Sequence, residues 1–508
     1  MNSDALVDVS RQKSAPSVEP PKAAAPTDEE KLQFISEVES SVRAFCSDCH
    51  TMPRPSSSSK EEWVDEVAQG YMLYEQSGRT DLAIPPQDAV LKYFQYQAPE
   101  KLVPPDSISG YPDLKLSFRT SITNHAGSNN ARRRPPGITC IRWLDLGIER
   151  TNAIVYSDIG TGGIYANWPL EEDAPTKRLA TLLQPVQFAP CDVDSDGLID
   201  LVAADIGEFD ANDTDLGRVV WLRQTGDSPV FEKHVIWEGI SRVADVQPGD
   251  FDGDGDLDFM VGVFGWRQTG RIVMLRNDSQ GDVTEDAFTP IEVDARHGAV
   301  NVTPCDLNQD GHLDFVALIS QGYETVEAFF NDGSGVFRKQ TIYSAPDPAY
   351  GSSGIQLVDF DQDDDLDVLM TNGDSFDRGP KPYHSVQWLE NRGSFPFVHH
   401  HLCEMPGAMD ATAGDFDGDG DMDVIAVALL APSVADAFRP LDTSSVVLLK
   451  QTSEGKFDRY KIGETRYDAL AVEAGDFDED GKLDFSIGTF LRKSDASRPD
   501  LTIWWNEN

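Results

Sequence analysis

Two hydrophobic periodicities divide the chain. From Thr27 to about residue 97, apolar positions recur at helical spacing, beginning with Leu32, Ile35, Val38 and Val42. Thr27 and Glu30 have the pattern of a capping box, and the helix they open runs into Cys46. Ser58 and Glu61 repeat that pattern before Trp63, Val64, Val67, Tyr71 and Met72, with Gly78 as the stop. A third helix is predicted over 87–97, between Pro85-Pro86 and Pro99. Residues 27–99 therefore read as a small all-α domain. Residues 100–112 follow neither period and are broken by prolines, so they read as a linker. Residues 1–26 are rich in Ser, Ala and Pro without an apolar run. They read as a disordered tether, with no secretory leader visible.

From 113 to 508 the period becomes that of β-strands, and one acidic motif keeps returning. Its carboxylates and their single amide replacement are Asp192, Asp194, Asp196 and Asp200; Asp250, Asp252, Asp254 and Asp258; Asp306, Asn308, Asp310 and Asp314. The later copies hold Asp359, Asp361, Asp363 and Asp367; Asp415, Asp417, Asp419 and Asp423; Asp476, Asp478, Asp480 and Asp484. First aspartates lie 53 to 61 residues apart. An apolar β-run follows each copy, as in residues 259–263 or 424–427. A second strand pattern comes later, as in 218–222, 271–275, 385–389 and 445–449. With a strand before each loop, every repeat has four short strands, one blade of a propeller. A degenerate copy around Ile141–Gly147, followed by Ala153–Tyr156, completes seven blades. The last repeat stops one strand short at Trp505, and Leu116–Thr120 has the pattern of the missing outermost strand. Closure of the ring by that strand is expected, and it would hide an open edge.

Carboxylates at positions 1, 3, 5 and 9 of a tight loop, with Gly at position 6 permitting a left-handed turn, aim their oxygens at one point. That donor set suits Ca²⁺. Mg²⁺ prefers a strict octahedron and retains water, and transition metals recruit His or Cys. Asp and Gly are also ordinary turn formers, but six spaced copies argue for ions, about six in all. Asp364 replaces Gly in the fifth blade, making its turn harder. The first blade, with Gly147, Glu149 and Ala153 at ligand positions, is assigned no ion. In these loops and their following strands the chain resembles the FG-GAP/VCBS repeat family, which includes the propeller of integrin α subunits and many exported bacterial propellers. The resemblance covers roughly four-fifths of the chain. It implies a calcium-bound propeller, commonly extracellular and used for binding. It fixes no ligand, because one scaffold carries adhesion, lectin and lyase functions alike.

Cys46, Cys49 and His50 have the spacing of c-type haem attachment, in which two thiols reach the porphyrin edge and the His binds iron. In that setting residues 27–99 resemble the small cytochrome c domains, where the motif follows the first helix. A redox dithiol, a zinc half-site and coincidence are the rival readings. Zinc would need further Cys or His ligands, and a thioredoxin-type dithiol belongs to a βαβ context. Met52 is too near His50 to cross the ring, which leaves Met72 as the sulfur candidate or the iron five-coordinate. His399, His400 and His401 would place only alternate rings on one side of a strand. Arg132, Arg133 and Arg134 read as a solvated loop.

Composition narrows the partners. The 508 residues carry 42 Lys+Arg against 87 Asp+Glu, a net charge of −45, which disfavours nucleic acid and anionic membrane surfaces. Six Ca²⁺ would bring it to about −33, so much of the acidity belongs to the loops. No stretch is long and apolar enough to span a membrane. The expectation is an exported, periplasmic or extracellular protein holding one haem c for electron transfer with a redox partner. Its calcium-stabilised propeller would bind protein or glycan. The alternatives are a non-redox adhesion or carbohydrate-binding propeller and a polysaccharide-active enzyme.

Overall fold

The computed structural model describes residues 26–103, 114–124, 134–147, 152–171, 176–226, 231–266, 269–279, 281, 283–374, 381, 383–431, 435, 444–453, 455–463, 466–491 and 498–508. The expected tether up to residue 25, most of the linker, and Arg132, Arg133 and Glu149 lie outside them.

The first helix, α1, spans Asp28–Cys46. Its capping box is in place: Glu30 N donates to Thr27 Oγ1 at 3.3 Å, and Thr27 N to Glu30 Oε2 at 2.7 Å. α2 spans Glu62–Gln76, and its capping pair lies one residue later than its sequence pattern suggests. Ser59 and Glu62 form the reciprocal pair, at 2.7 and 3.3 Å, because Ser58 is buried as it leaves a single 3₁₀ turn, Pro55–Ser57. α3 covers Gln87–Gln95. Val42, Trp63, Val67, Val90, Tyr93 and Phe94 form the core of these helices, with Trp63 stacked on Phe94 at 4.0 Å.

The rest is a ring of seven four-stranded antiparallel sheets. Blade 1 holds β2–β5, from Ile138–Leu144 to Lys177–Thr181. Each later blade continues in chain order, up to blade 6, whose strands run from β22 (Ala408–Gly414) to β25 (Lys456–Lys461). In blade 7, β26 (Ala469–Gly475), β27 (Asp484–Thr489) and β28 (Leu501–Asn506) are completed by β1 (Phe118–Thr123), paired from Phe118 with Asn506 to Thr123 with Leu501. The expected closing strand therefore joins the two ends of the ring.

The second strand of each blade lies between neighbours on both sides and is buried along its whole length, as in Asp258–Val263 or Asp423–Ala428. Apolar side chains pack between adjacent blades. Phe251, Met260 and Phe315 join blades 3 and 4, and Ile138, Ile154, Phe477 and Leu501 join blades 1 and 7. Every innermost strand carries a register shift near its start, for example between Val243 and Asp245 or Ala408 and Asp410. That bulge adds the twist a propeller blade requires.

Antiparallel order sorts the connections into two faces. First-to-second strand loops, which hold the aspartates, lie on one. Second-to-third connections and links between blades lie on the other. The helices dock on that second face at blade 5. Arg54 N donates to Asp347 Oδ2 at 2.7 Å, and Lys381 Nζ donates to the Ser57 carbonyl at 3.2 Å. Asp347 and Lys381 are both buried there.

Candidate metal centres

Each aspartate loop is organised by its own carboxylates. In blade 3 Asp250 accepts from Gly253 N and Gly255 N, at positions 4 and 6; in the other five loops the first aspartate accepts from the backbone N–H of position 5 and of position 6. In blade 2 these are Asp196 N to Asp192 Oδ1 at 3.1 Å and Gly197 N to Asp192 Oδ2 at 3.0 Å. In blade 7 they are Asp480 N and Gly481 N to Asp476, at 3.0 and 2.9 Å. Position 5 accepts in turn from position 7, as Leu198 N does to Asp196 Oδ1 at 2.9 Å. Position 6 is left-handed in all six loops, including Asp364 at φ 73°.

Position 4 is left-handed as well, at Ser195, Gly253, Gln309, Gln362, Gly418 and Glu479. Sequence reasoning missed this turn. The residue types there share nothing that announces it.

Position 9 braces the blade. Asp258 accepts from Phe251 N at 3.1 Å and from Asn277 N on the third strand at 2.8 Å. Asp423 and Asp484 bracket their blades in the same way, through Gln451 N at 2.9 Å and Asn506 N at 2.7 Å. Asp200 and Asp367 also accept from the indoles of Trp221 and Trp388, at 2.8 and 2.9 Å. These carboxylates are fully buried, and burial drives Asp258 and Asp423 up to about 7 and Asp367 and Asp484 up to about 6. Burial first, then neighbouring loop carboxylates, raises Asp252, Asp361 and Asp478.

Carboxylate oxygens within 4.8 Å of one another come together in five loops: Asp192, Asp194 and Asp200; Asp250, Asp252 and Asp254; Asp359, Asp361 and Asp363; Asp415, Asp417 and Asp423; Asp476, Asp478 and Asp484. The remaining expected ligands, Asp196, Asp258, Asp367, Asp419 and Asp480, stand beside these groups. Blade 4 differs. Asp306, Asp310 and Asp314 form no such group among the described residues, and Asn308 Nδ2 donates to Asp310 Oδ2 at 2.9 Å.

The fit to a cation rests on one repeated feature. At position 3, Oδ1 of Asp194, Asp361, Asp417 and Asp478 is buried and has no hydrogen-bond partner. A buried carboxylate oxygen left unpaired is costly, and a hard cation in the loop removes that cost. Two loops hold a basic side chain against the same residue: Arg223 Nε lies 2.5 Å from Asp194 Oδ2, and Lys450 Nζ contacts Asp417 and lies 2.9 Å from Asp419 Oδ2.

The cysteine pair sits elsewhere. Cys46 closes α1 and packs on the helical core, where burial pushes its thiol up to about 11. Cys49 is exposed, and Arg79 Nη1 donates to its sulfur at 3.3 Å. His50 Nδ1 lies 2.8 Å from the Thr51 carbonyl. Met72 is 45% exposed on α2, whereas Met52 packs on the helical core. His399 and His401 face one cavity on the propeller, and His400 stacks on Trp388 at 4.5 Å, the alternation expected of a strand.

The sequence profile of the FG-GAP-like repeat matches residues 192–261, 306–370 and 379–426. Those three segments are similar to FG-GAP-like repeats. The matches cover loops in blades 2 to 6 and leave residues 27–99 untouched. Solved structures similar to the chain include virginiamycin B lyase from Staphylococcus aureus, as a catalytically inactive form with quinupristin and as a selenomethionine-substituted form. Each is 12% identical, with a TM-score of 0.44, covering 76% of this chain and 99% of that one. BBS1N in complex with ARL6DN is 10% identical, with a TM-score of 0.43, covering 77% of this chain and 95% of its own. No curated protein matches the chain. No helix among the described residues is long and apolar enough to cross a membrane.

Proposed function

We propose that the protein is an exported, adhesion-type binding propeller whose FG-GAP-like loops take Ca²⁺ and whose ligand is an extracellular protein or glycan. The observation that carries the calcium is the orphaned position-3 oxygen, repeated in blades 2, 5, 6 and 7. Asp192, Asp194 and Asp200, and their counterparts in the other four groups, would hold the ions. When bound, the cation would supply concentrated positive charge that several carboxylates share, tying the first turn of these five blades to the strands it joins. The position-9 carboxylates already bind the third strand, so a loop fixed by an ion fixes three of a blade's four strands. Metal analysis of protein purified without chelator, with glycan-array and protein-binding assays in calcium and in chelator, tests this reading. About five bound Ca²⁺ and calcium-dependent binding are expected.

A second reading keeps the haem, because His50 carries the hydrogen bond expected of a metal-ligating imidazole. A backbone carbonyl on Nδ1 orients the ring and leaves Nε2 for a metal. Cys46 and Cys49 would hold the porphyrin edge, and the bound group would supply one-electron exchange with a redox partner. A covalent haem band in protein matured by an export-competent host supports this reading, and its absence removes it.

A further inference from the structure

A cavity of about 460 Å³ lies where the helical segment meets the outer edges of blades 4 and 5. Its walls come from distant parts of the chain. Tyr343 lies on the outermost strand of blade 4, Phe337–Ser344. His399 and His401 lie on the outermost strand of blade 5, Val398–Glu404, and Arg54 comes from the segment between α1 and α2. Tyr350 and Tyr383, from the connections of blade 5, complete the aromatic lining. The volume falls within the range of about 300–1,000 Å³ common for small-molecule sites.

The rings are held in place. Tyr343 stacks on His399 at 5.2 Å and 15°, and Tyr350 on Tyr383 at 5.5 Å and 10°. Tyr343 Oη donates to Tyr350 Oη at 3.4 Å, and Tyr350 Oη donates to Gln387 Oε1 at 3.1 Å. His399 Nε2 lies 2.7 Å from the same Gln387 oxygen. Gln387 is fully buried, and its own amide donates to Asn372 Oδ1 at 2.8 Å. The shared oxygen can only accept, so His399 carries its proton on Nε2. This chain of bonds fixes two tyrosines and a histidine before any ligand arrives.

The charged groups are two, and opposite. Arg54 has its backbone pinned by Asp347, while its guanidinium forms no ion pair among the described residues, in a protein with twice as many acids as bases. Glu404 lines the same cavity, and its carboxylate also forms no ion pair among the described residues. An acid in the same cavity as a single arginine disfavours phosphate and polyanions. Fixed aromatic rings with one charged donor and one charged acceptor match a pyranose, which has an apolar C–H face and a rim of hydroxyls.

We propose that this cavity binds one pyranose ring of a glycan. Tyrosine rings meet its apolar face, Arg54 holds a hydroxyl or a uronate carboxylate, and Glu404 accepts from hydroxyls. The proposal rests on the binding-propeller reading and names the ligand class and the place. The helical segment supplies Arg54, so it forms part of the site.

The test uses the full chain in calcium. Saturation-transfer NMR and intrinsic fluorescence follow titration with methyl β-galactoside, methyl α-mannoside, N-acetylglucosamine and glucuronic acid. At least one should bind, and Arg54→Ala and Tyr343→Ala should each weaken it about tenfold or more with the melting temperature held. Preference for glucuronic acid would assign Arg54 to a carboxylate, and preference for a neutral sugar would assign it to hydroxyls. Both support the site. No binding by any of the four overturns it. Array-detected glycan binding that survives both substitutions also overturns it, while leaving the propeller reading intact.

Discussion

The two faces of the ring are built by opposite means. On one, the same nine-residue loop recurs around the propeller, and its carboxylates serve the turn, the third strand and a shared focus of charge. On the other, no such loop motif recurs among the described residues, and the shared feature is a backbone bond from the end of each second strand to the residue before the first, as from Phe264 N to the Arg242 carbonyl. Loops of unequal character accept a helical segment, and a cavity forms from residues that occur once. Repetition makes the scaffold, and what is not repeated distinguishes this propeller from any other. A change on the loop face should therefore be read out as stability, and a change on the docking face as binding.

The sharpest way to break that division is at position 9. Asp423→Ala removes a fully buried carboxylate that accepts from Phe416 N and Gln451 N, stranding two donors. It should cost about 3 kcal/mol, measured by urea unfolding in calcium. The division fails if Asp423→Ala is neutral.

Asp478→Asn comes next. It keeps the shape of position 3 while removing charge from the group formed with Asp476 and Asp484. One Ca²⁺ per chain should disappear from metal analysis, with a smaller loss of stability than at position 9.

Acidity sharpens the same comparison without a mutation. Asp258 and Asp423 are raised to about 7 by burial, so the ion-free fold holds protons that the unfolded chain releases near pH 4. Stability of calcium-free protein should fall as pH rises from about 4 to about 7 and level off above that. Saturating Ca²⁺ should flatten the slope, because the cation takes over the charge. Thermal melts across that range in chelator and in calcium check both statements.

A smaller effect is expected at Lys450, which contacts Asp417 and Asp419. Lys450→Leu should raise calcium affinity at blade 6 several-fold and lower the ion-free melting temperature slightly, by calorimetric titration and scanning. The smallest effect on stability belongs to Arg54→Ala, which keeps the backbone bond to Asp347. It should leave the melt unchanged while glycan binding falls.

What could be read from residue order follows from range. The aspartates at positions 1, 3 and 5 act over a few residues, so their spacing announced the turn, the repeat and the blade. The closing strand was legible because Leu501–Asn506 has a neighbour on one side only within its own repeat, and a strand pattern before blade 1 supplies the other. The bracket from position 9 to the third strand was not legible, since Asp258 meets Asn277 across an intervening hairpin. The second capping box shifted by one residue because burial of Ser58 against Lys381, 323 residues away, is a tertiary fact. The cavity was least legible of all. Arg54, Tyr343, Tyr383 and His399 share no motif, and only the docking of the helical segment on blade 5 brings them together.

Scanning calorimetry of metal-free protein, before and after Ca²⁺ is returned, tests the loop face most directly. Several ions bound only by the folded ring should raise the melting temperature by at least about 10 °C, reversibly, with Mg²⁺ doing little. Identical melts with and without Ca²⁺, in protein that metal analysis shows to have been calcium-free from the start, would contradict the account.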